Sequence, residues 1–469
     1  MIQILFISFI TIAIAIAANI VFGRRHSQHV SIAALLLVLI YISYSISAFA
    51  SGGIALSESL PYISSLGVSL HFTLTPISIM LITMSLIVTL AAMVWQGFRS
   101  SNTHSMNSLL LLFELSAIGL FASANLFLFY IFWDVGVIAV FFIIRSFGSA
   151  SRDVASKNFL IYSIFASALL LFAIMLIYFY TPVGSFNISY ITAHSSEIPT
   201  AIQESIFMLM FMAFAIKMPI FPFHSWMPNA YSNAPTSGSV VLAGVLSKFG
   251  AYGMLVLFYM LPVAETLNEY IYAIAVISIF YAAFAAMKQN DLKKMAGYTS
   301  MVESGIILAG ITALNYLGKY GSVYMMLAHG FTIALMFIAI GSIEFAYGTR
   351  SLSILRGAVS SAKSASYSFM FSIFGSTGMP LTAGFVAELM IFIGTASAFG
   401  LYGIIPLIGV ILVGAYMYLA ASRSIMSTKE KLQEVGIISK PQKAAMAIAI
   451  AAILFFGIFP FILLNLVRI

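Results

Sequence analysis

Cysteine and charge are the two things this sequence lacks. Its 469 residues contain no cysteine, which excludes disulfides, thiolate metal sites and cysteine-ligated iron–sulfur clusters. Charged residues make up only 7% of the chain, against about a quarter in an ordinary water-soluble protein. Hydrophobic residues make up 62%. The composition predicts an all-α polytopic membrane protein with no cofactor and no metal site of its own, so any redox chemistry must lie on other chains.

Apolar runs of roughly 20 residues recur along the whole length, which is what an α-helix needs to cross a bilayer. The first run is followed by "GRRHSQH", which offers no small-residue cleavage site, so we expect a retained helix and not a signal peptide. Counting the runs predicts about fourteen transmembrane helices, called spans 1 to 14 below. Their predicted bounds are 2–22, 30–50, 74–95, 108–124, 126–145, 158–180, 203–232 with a break after 218, 236–261, 270–287, 300–314, 318–345, 364–400 with a break near 380, 402–422 and 444–467.

Lysine and arginine are distributed unevenly over the predicted connections. Cytoplasmic loops of membrane proteins are enriched in these residues. If both termini lie on the outer face of the inner (plasma) membrane, 17 of the 21 lysines and arginines fall in inside connections. The net charge of +7 then reflects topology, and we expect a lipid bilayer and no nucleic acid as partner. The 17 residues are Arg24, Arg25, Arg99, Arg145, Arg152, Lys157, Lys288, Lys293, Lys294, Arg350, Arg356, Lys363, Arg423, Lys429, Lys431, Lys440 and Lys443.

Six ionisable side chains fall inside predicted spans. The connections are about 20 residues at most, too short to fold as soluble domains, so function must lie within the helices. One charge at mid-membrane costs at least ~2.5–3.5 kcal/mol, and a single one could be a structural pair or reach the interface. Six together favour an ion path, and a histidine in span 11, which alone would more often be a core residue, adds a group that titrates near neutral pH. These residues are Glu114, Asp134, Lys217, Lys248, Glu303, Glu388 and His329.

Two of these charged spans also contain helix breaks. Pro219 and Pro222 follow Lys217, and Pro380 interrupts span 12 eight residues before Glu388. Proline removes a helix hydrogen bond, and the freed backbone is tolerated in a membrane only inside protein or beside a wet cavity. One proline alone could be a harmless kink. Two charged and broken spans favour a functional reason.

The spacing of the charges suggests a duplication. Spans 4–8 and 9–13 form two five-helix blocks, and an odd number of helices makes the second block inverted, as in many transporters. Asp134 and Lys217 are 83 residues apart, and Glu303 and Glu388 are 85 apart, although the blocks show no strong sequence similarity and the match could be coincidence. We predict four regions, with the repeats as the second and third. They are 1–107, 108–261, 270–422 and 423–469.

Several motifs resemble one known family. "LFYIFWDVGVIAVFFII", "IKMPIFPFHSWMPNAYSNAPTSGSVVLAGVLSKFGAYG", "KQNDLKKMAGYTSMVESG", "MLAHGFTIALMFIAIG" and "GMPLTAGFVAELMIF" are similar to the antiporter-like subunits of complex I, the respiratory NADH:quinone oxidoreductase. The similarity runs from about residue 108 to 400. "AHG" in span 11 and the glutamate in span 12 resemble the M-type subunit, the mitochondrial subunit 4 type, whereas N-type and L-type subunits typically have lysine in span 12.

The resemblance implies site residues at matching positions. The family's span 5 glutamate falls on Asp134, which is one methylene shorter and has a doubtful reach to Lys217. Glu303 stands where relatives usually have histidine. The remaining carried-over residues are Lys217, Lys248 and Glu388 as main proton carriers, with Glu303, His329, His224 and Glu114 as secondary ones. Asn229 and Tyr231 replace an acid and a histidine common in relatives.

The function implied by the resemblance is proton translocation along these buried charges, driven by redox energy from other subunits. The chain would be a non-redox subunit of a quinone oxidoreductase whose electron donor is NADH or another reduced carrier. Its implied partners are neighbouring antiporter-like subunits and a lateral helix of one of them. The alternatives are a subunit of an Mrp-type cation/proton antiporter or of a membrane-bound hydrogenase, which share these motifs, and a structural membrane scaffold whose charges serve assembly.

Overall fold

The computed structural model describes residues 4–23, 26–50, 56–63, 68–97, 103–355, 357, 362–426 and 435–467. The helices are α1 (Ile4–Phe22), α2 (Ser27–Ala50), α3 (Pro76–Gln96), α4 (Thr103–Ala122), α5 (Leu126–Phe147), α6 (Arg152–Tyr180), α7 (Ile188–His194), α8 (Thr200–Lys217), α9 (Met227–Asn233), α10 (Thr236–Val241), α11 (Ser247–Met260), α12 (Ala264–Met287), α13 (Leu292–Thr312), α14 (Tyr316–Tyr347), α15 (Lys363–Ser376), α16 (Ala383–Phe399), α17 (Ile405–Arg423), α18 (Lys440–Ile458) and α19 (Phe461–Leu464). Of the basic residues used for the topology prediction, those outside the described residues are Arg24, Arg25, Arg99, Arg356, Lys429 and Lys431.

The predicted all-α polytopic membrane fold is confirmed. The described residues contain 12 helical stretches long and apolar enough to cross a membrane, one of which, Ala383–Arg423, joins α16 to α17. The predicted span 10 is α13, which carries three charged residues, and the predicted span 12 is divided between the 14-residue α15 and α16. Predicted spans 7 and 8 correspond to α8 with α9 and to α10 with α11. These correspondences account for all fourteen predicted spans.

A β-hairpin that the sequence reading did not foresee lies in the connection between α2 and α3. Strand β1 (Leu56–Ile63) pairs antiparallel with β2 (Val68–Leu74). Glu58 on β1 accepts hydrogen bonds from the backbone N–H groups of Leu5 and Phe6, at 2.9 and 3.0 Å. A carboxylate at a helix N-terminus satisfies donors that have no partner within the helix. The hairpin therefore fixes the start of α1.

Each connection between two spans is numbered here by the span that precedes it. Contacts between connections occur at two opposite ends of the helices. At one end the backbone N–H of Leu126 donates to the carbonyl of Phe186, and that of Ala124 donates to His71. At the other end Ser149 donates to Asn233, as Leu292 does to Arg350. Among the described residues, connections 2, 4 and 6 thus meet at the first end, while connection 5 meets 7 and connection 9 meets 11 at the second, which is the alternation that a chain crossing a membrane fourteen times requires.

The first predicted break separates α8 from α9. The helix ends at Lys217, because Pro219 and Pro222 cannot donate to preceding carbonyls. Two of the freed carbonyls find partners nearby. The indole of Trp226 donates to the carbonyl of Ile216 at 2.9 Å, and the backbone N–H of Ile220 donates to that of Ala215. The break is thus hydrogen-bonded inside the protein, which is what non-helical backbone at membrane depth needs.

The second predicted break separates α15 from α16 and includes Pro380. Gly378 has a φ of +58°, a conformation that glycine adopts without strain. A Cβ atom at this position would overlap Oε2 of Glu388. The break therefore needs glycine twice over, for its backbone conformation and for the approach of the Glu388 carboxylate.

A five-residue π-helical segment, Leu242–Leu246, joins α10 to α11. It crosses α14 at Gly244 and Gly330, where an added Cβ on either glycine would lie 3.2–3.3 Å from the carbonyl oxygen of the other. Small residues at this crossing let the backbones approach closely. Along its most apolar stretch α14 is buried throughout, so it is the central helix of the fold.

Candidate functional site

Lys217 occupies the last position of α8 and is 1% exposed. Its ammonium donates to the hydroxyl of Ser163 on α6 at 3.1 Å. The rings of Trp133 and Phe159 lie 4.9 and 5.3 Å from the same nitrogen. Aromatic faces attract cations, most strongly where water is excluded. The site therefore holds a buried cation with one hydroxyl acceptor and two ring faces.

Asp134 on α5 does not bond directly to Lys217. Its carboxylate accepts from the hydroxyl of Ser167 at 2.5 Å, and Ser167 also accepts from the Trp133 indole at 3.1 Å. Ser163 and Ser167 are four residues apart on α6, so they lie on one helix face about 5–6 Å apart. Two serine hydroxyls thus stand between the aspartate and the lysine. The shorter Asp134 side chain therefore makes no direct bond to Lys217, and a serine binds each of them. Sequence reasoning missed both serines.

Lys248 lies at the second position of α11, directly after the π-helical segment, and is 1% exposed. Its ammonium donates to the carbonyl of Ala243 at 2.8 Å and to the hydroxyl of Ser247 at 3.2 Å. A π-helical turn disturbs the regular ladder and exposes carbonyl groups of this kind, often at functional sites. The third contact is to Nδ1 of His329, at 3.0 Å.

His329 on α14 connects Lys248 to Glu303 on α13. Because a charged lysine only donates, Nδ1 of the imidazole accepts and the proton of the neutral ring lies on Nε2. That nitrogen is 3.9 Å from Oε2 of Glu303. Neither Nε2 nor either oxygen of Glu303 has a hydrogen-bond partner within the described part of the chain. The structure therefore brings Lys248, His329 and Glu303 into one buried row whose far end is unsatisfied.

Glu388 on α16 lies beside the second break and is 6% exposed. Its Oε1 atom is buried and has no hydrogen-bond partner among the described residues. The carboxylate is within electrostatic range of Glu303 and faces a cavity of about 400 Å³ between α16 and α17. Leu389 and Ile411 at this cavity are 49% and 62% exposed. Glu388 thus lies nearer the surface of the isolated chain than the three residues of the buried row.

Glu114 on α4 stands apart from this row. It is fully buried and accepts hydrogen bonds from Ser85 at 2.7 Å and from Thr89 at 2.6 Å, both on α3. Two hydroxyls one helical turn apart satisfy both of its oxygens. In this structure Glu114 holds α3 against α4.

His224 lies in the segment between α8 and α9 but does not bond to Lys217. Its ring packs edge-on against Tyr281 at 4.7 Å and lies 6.3 Å from the ring of Tyr298. Its Nδ1 atom is buried and has no partner among the described residues. His224 therefore belongs to the contact of the first break with α12 and α13.

A second charged cluster, at the end where odd-numbered connections meet, was counted in the sequence only as part of the topology signal. Lys293 is 3% exposed and lies 3.2 Å from Glu344. Arg350 contacts Glu344 at 3.2 Å and Asp291 at 2.6 Å, and it donates to the carbonyl of Ser232. Four charges thus join the end of α9 and the start of α13 to the end of α14. The pairing of charges so distant in sequence has no local signal.

The fold and the buried row of charges define a multi-pass membrane protein of the complex I antiporter-like kind. Residues 123–414 match the family described as NADH:quinone oxidoreductase/Mrp antiporter, transmembrane. The chain belongs to this family, and its predicted resemblance to the M-type antiporter-like subunit is confirmed.

Three relatives illustrate the similarity. The chain is 31% identical over 448 residues to NADH-quinone oxidoreductase subunit M of Rickettsia felis, covering 93% of this chain and 90% of the relative. It is 31% identical to F(420)H(2) dehydrogenase subunit M of Methanosarcina mazei, covering 86% and 83%. A chain of respiratory complex I from Thermus thermophilus has the same fold, with a TM-score of 0.89, 20% identity and 98% of each chain covered.

Proposed function

We propose that this chain is the M-type proton-translocating subunit of a complex I-type quinone oxidoreductase and that protons cross it along the buried charges. The observation that carries the proposal is the buried row of Lys248, His329 and Glu303. Two similar proteins are both named as M subunits, but of enzymes named for different electron donors, NADH and F(420)H(2). Because this chain has no cysteine for iron–sulfur clusters, we propose that other subunits determine the donor. The path residues are Asp134, Lys217, Lys248, His329, Glu303 and Glu388.

In the first part of the path, Asp134 and Lys217 interact electrostatically across the two serines of α6. Ser163 accepts from Lys217 and Ser167 donates to Asp134, so each charge has its own hydroxyl. Asp134 is partly exposed on the isolated chain. A charge brought near it from a neighbouring subunit would alter the field at Lys217, which is the kind of electrostatic step that can start proton movement.

In the second part, a proton passes from Lys248 to Nδ1 of His329. The imidazolium then points its Nε2–H at Glu303, 3.9 Å away. Two unit charges at about 4 Å attract by ~4 kcal/mol at an effective dielectric constant of ~20. Moving one charge against 100 mV costs ~2.3 kcal/mol, so this attraction is large enough to drive the step. Glu303 next takes the proton from Nε2, which leaves a neutral imidazole whose remaining proton lies on Nδ1, facing Lys248.

The last part leads from Glu303 to Glu388. The two carboxylates lie within electrostatic range of each other, and like charges in a buried place favour sharing one proton. Glu388 adjoins the second break and the cavity between α16 and α17. We assign to it the release of the proton.

The chain is part of a respiratory assembly in the membrane, and we propose its surroundings there. Both termini face the outer side of the inner (plasma) membrane, as the lysine and arginine bias indicates. Neighbouring antiporter-like subunits cover the apolar surface of α6, where Ile161 and Ile164 are 64% and 58% exposed. A lateral helix of one neighbour runs past the two breaks. We also propose that the chain has the four regions predicted from its sequence, of which 108–261 and 270–422 are inverted repeats.

The test is a set of single variants in the complete complex, purified and reconstituted in vesicles. Lys217→Ala and Lys248→Ala should lower the number of protons translocated per electron, with the amount of assembled complex unchanged. Glu114→Gln is the control, because Glu114 is a buried acid outside the row. Unchanged proton-to-electron ratios in both lysine variants would refute the path. Loss of assembly in both would favour a structural scaffold.

A further inference from the structure

A cavity of about 520 Å³ opens at the end of the molecule where odd-numbered connections meet. It lies between the end of α12, the start of α13 and the last turns of α17. Its mouth is polar, and its inner wall contains the ring of Tyr416. The polar lining residues that reach the surface are Gln289, Asn290, Ser353 and Arg423. By the predicted topology this is the cytoplasmic end.

Tyr416 connects the cavity to the interior. Its side chain is 5% exposed, and its hydroxyl lies 2.7 Å from the hydroxyl of Thr299 on α13, which is fully buried. Thr299 also lies 3.0 Å from the carbonyl of Met295, another residue of the cavity wall. The two hydroxyls therefore form a short hydrogen-bonded pair that begins at the cavity and ends in the protein.

The hydroxyl pair leads towards Glu303. Met295, Thr299 and Glu303 follow each other at intervals of four residues, so they lie on one face of α13. Both oxygens of Glu303 are buried without a hydrogen-bond partner in the described structure, and the carboxylate is within electrostatic range of the Tyr416 hydroxyl. An unsatisfied buried acid is costly, so this carboxylate needs a proton or a donor. The Ser376 hydroxyl on α15 is within reach of this carboxylate, and on the helix face of Glu303 itself the Thr299–Tyr416 pair leads to the cavity.

We propose that this cavity is a second proton entrance, which supplies Glu303 through Tyr416 and Thr299 without passing Lys217 or Lys248. The inference rests on the proposed function. A hydronium ion in the cavity gives a proton to the Tyr416 oxygen and becomes water, as the Tyr416 proton moves to Thr299. The Thr299 proton moves to the Glu303 carboxylate, and both hydroxyls then rotate back. The last transfer spans one helical turn, about 5–6 Å between Cβ atoms, which rotation of the Glu303 side chain shortens.

The geometry also selects for protons. Hydroxyl oxygens 2.7 Å apart leave no room for a metal ion or a hydrated cation between them. A hydroxyl relay carries only protons, so the entrance is expected to exclude Na⁺.

The cavity itself can be tested by cysteine labelling, since the chain has no cysteine. Ala415→Cys places a thiol in the cavity wall, and Tyr418→Cys places one on the same helix at a position that is 57% exposed but outside the cavity. A membrane-impermeant thiol reagent applied from the cytoplasmic side of the complete complex should label the first and not the second. Equal labelling of both, or none of Ala415→Cys, would overturn the entrance.

The relay is tested with Tyr416→Phe and Thr299→Val in the reconstituted complex. Each should lower the protons translocated per electron, and Tyr416→Phe combined with Lys217→Ala should lie below either single variant, because the two entrances act in parallel. The controls are Tyr324→Phe and Thr312→Val, since these buried hydroxyls bond only to backbone carbonyls.

The outcomes separate the inference from the proposed function. If Tyr416→Phe and Thr299→Val equal their controls while Lys217→Ala lowers the ratio, the second entrance is wrong and the proposed function stands. If the double variant equals Lys217→Ala, the two groups lie on one path and the parallel entrance is refuted. If Lys217→Ala also leaves the ratio unchanged, the proposed function itself fails.

Discussion

Gly378→Ala offers a sharp test of the role given to Glu388. The substitution has two separable effects. Alanine at a φ of +58° costs about 1–2 kcal/mol of backbone strain. The new Cβ would also overlap Oε2 of Glu388 and lie 2.8 Å from its Cδ, well inside the ordinary contact distance of about 3.5–4.0 Å between carbon atoms. The carboxylate must therefore move by roughly 1 Å or more.

Such a displacement is large for a transfer that depends on geometry. A misplacement of about 1 Å can cost on the order of 100-fold in rate. The matched control is Gly400→Ala, because Gly400 has a φ of +60° and no atom within 4 Å of an added Cβ. Gly400→Ala also strains the backbone, since φ/ψ of +60°/−137° suits glycine, but it leaves Glu388 untouched. Only Gly378→Ala should lose proton translocation.

The assay measures three quantities on the reconstituted complex: the amount assembled, its thermal denaturation and the protons translocated per electron. If Gly378→Ala translocates protons as well as Gly400→Ala, the position of the Glu388 carboxylate does not matter and its assignment as the release site is wrong. If both lose translocation equally, the loss comes from backbone strain and not from Glu388.

Two further predictions concern charges outside the path. Glu344→Gln should destabilise the complex by less than the ~3–5 kcal/mol of a fully buried pair, because it removes the charged partner of buried Lys293 but its own side chain is 34% exposed. Adding Lys293→Met should restore much of the loss in thermal denaturation. No loss in the single variant would show that the pair is not structural. Ser85→Ala with Thr89→Val should cost about 1–3 kcal/mol for each lost hydrogen bond to Glu114 and leave the proton-to-electron ratio of the assembled complex unchanged. A lower ratio at normal stability would place Glu114 on the path.

Much of the fold could be predicted because a membrane restricts the chain so strongly. The apolar runs predicted the spans, and the prolines at Pro219, Pro222 and Pro380 predicted both breaks, because a helix cannot continue through them. The β-hairpin was missed although β2 alternates apolar and polar residues from Val68 to Leu74, because β1 lacks this alternation and contains a proline. The π-helical segment was missed because it differs from an α-helix by one hydrogen-bond register, which composition does not reveal.

The charged residues of the candidate site could be predicted from the sequence, whereas its neutral hydroxyl residues could not. An acid or lysine within a span stands out by its cost, so Lys248 and Glu303 were visible in the sequence. Ser163, Ser167 and Thr299 were not, because small hydroxyl residues are common in transmembrane helices and usually bond to their own backbone. A signal was present in Ser163 and Ser167, which are four residues apart on an apolar helix. Their partners on α5 and α8 come from tertiary structure alone.

The most direct test of the central claim is the proton-to-electron ratio of the reconstituted complex with Lys248→Ala. Lys248 is joined to His329 by a hydrogen-bond contact of 3.0 Å, which is the first step of the buried row. The account predicts a lower ratio with assembly and electron transfer to an artificial acceptor retained. An unchanged ratio in a fully assembled complex would contradict it.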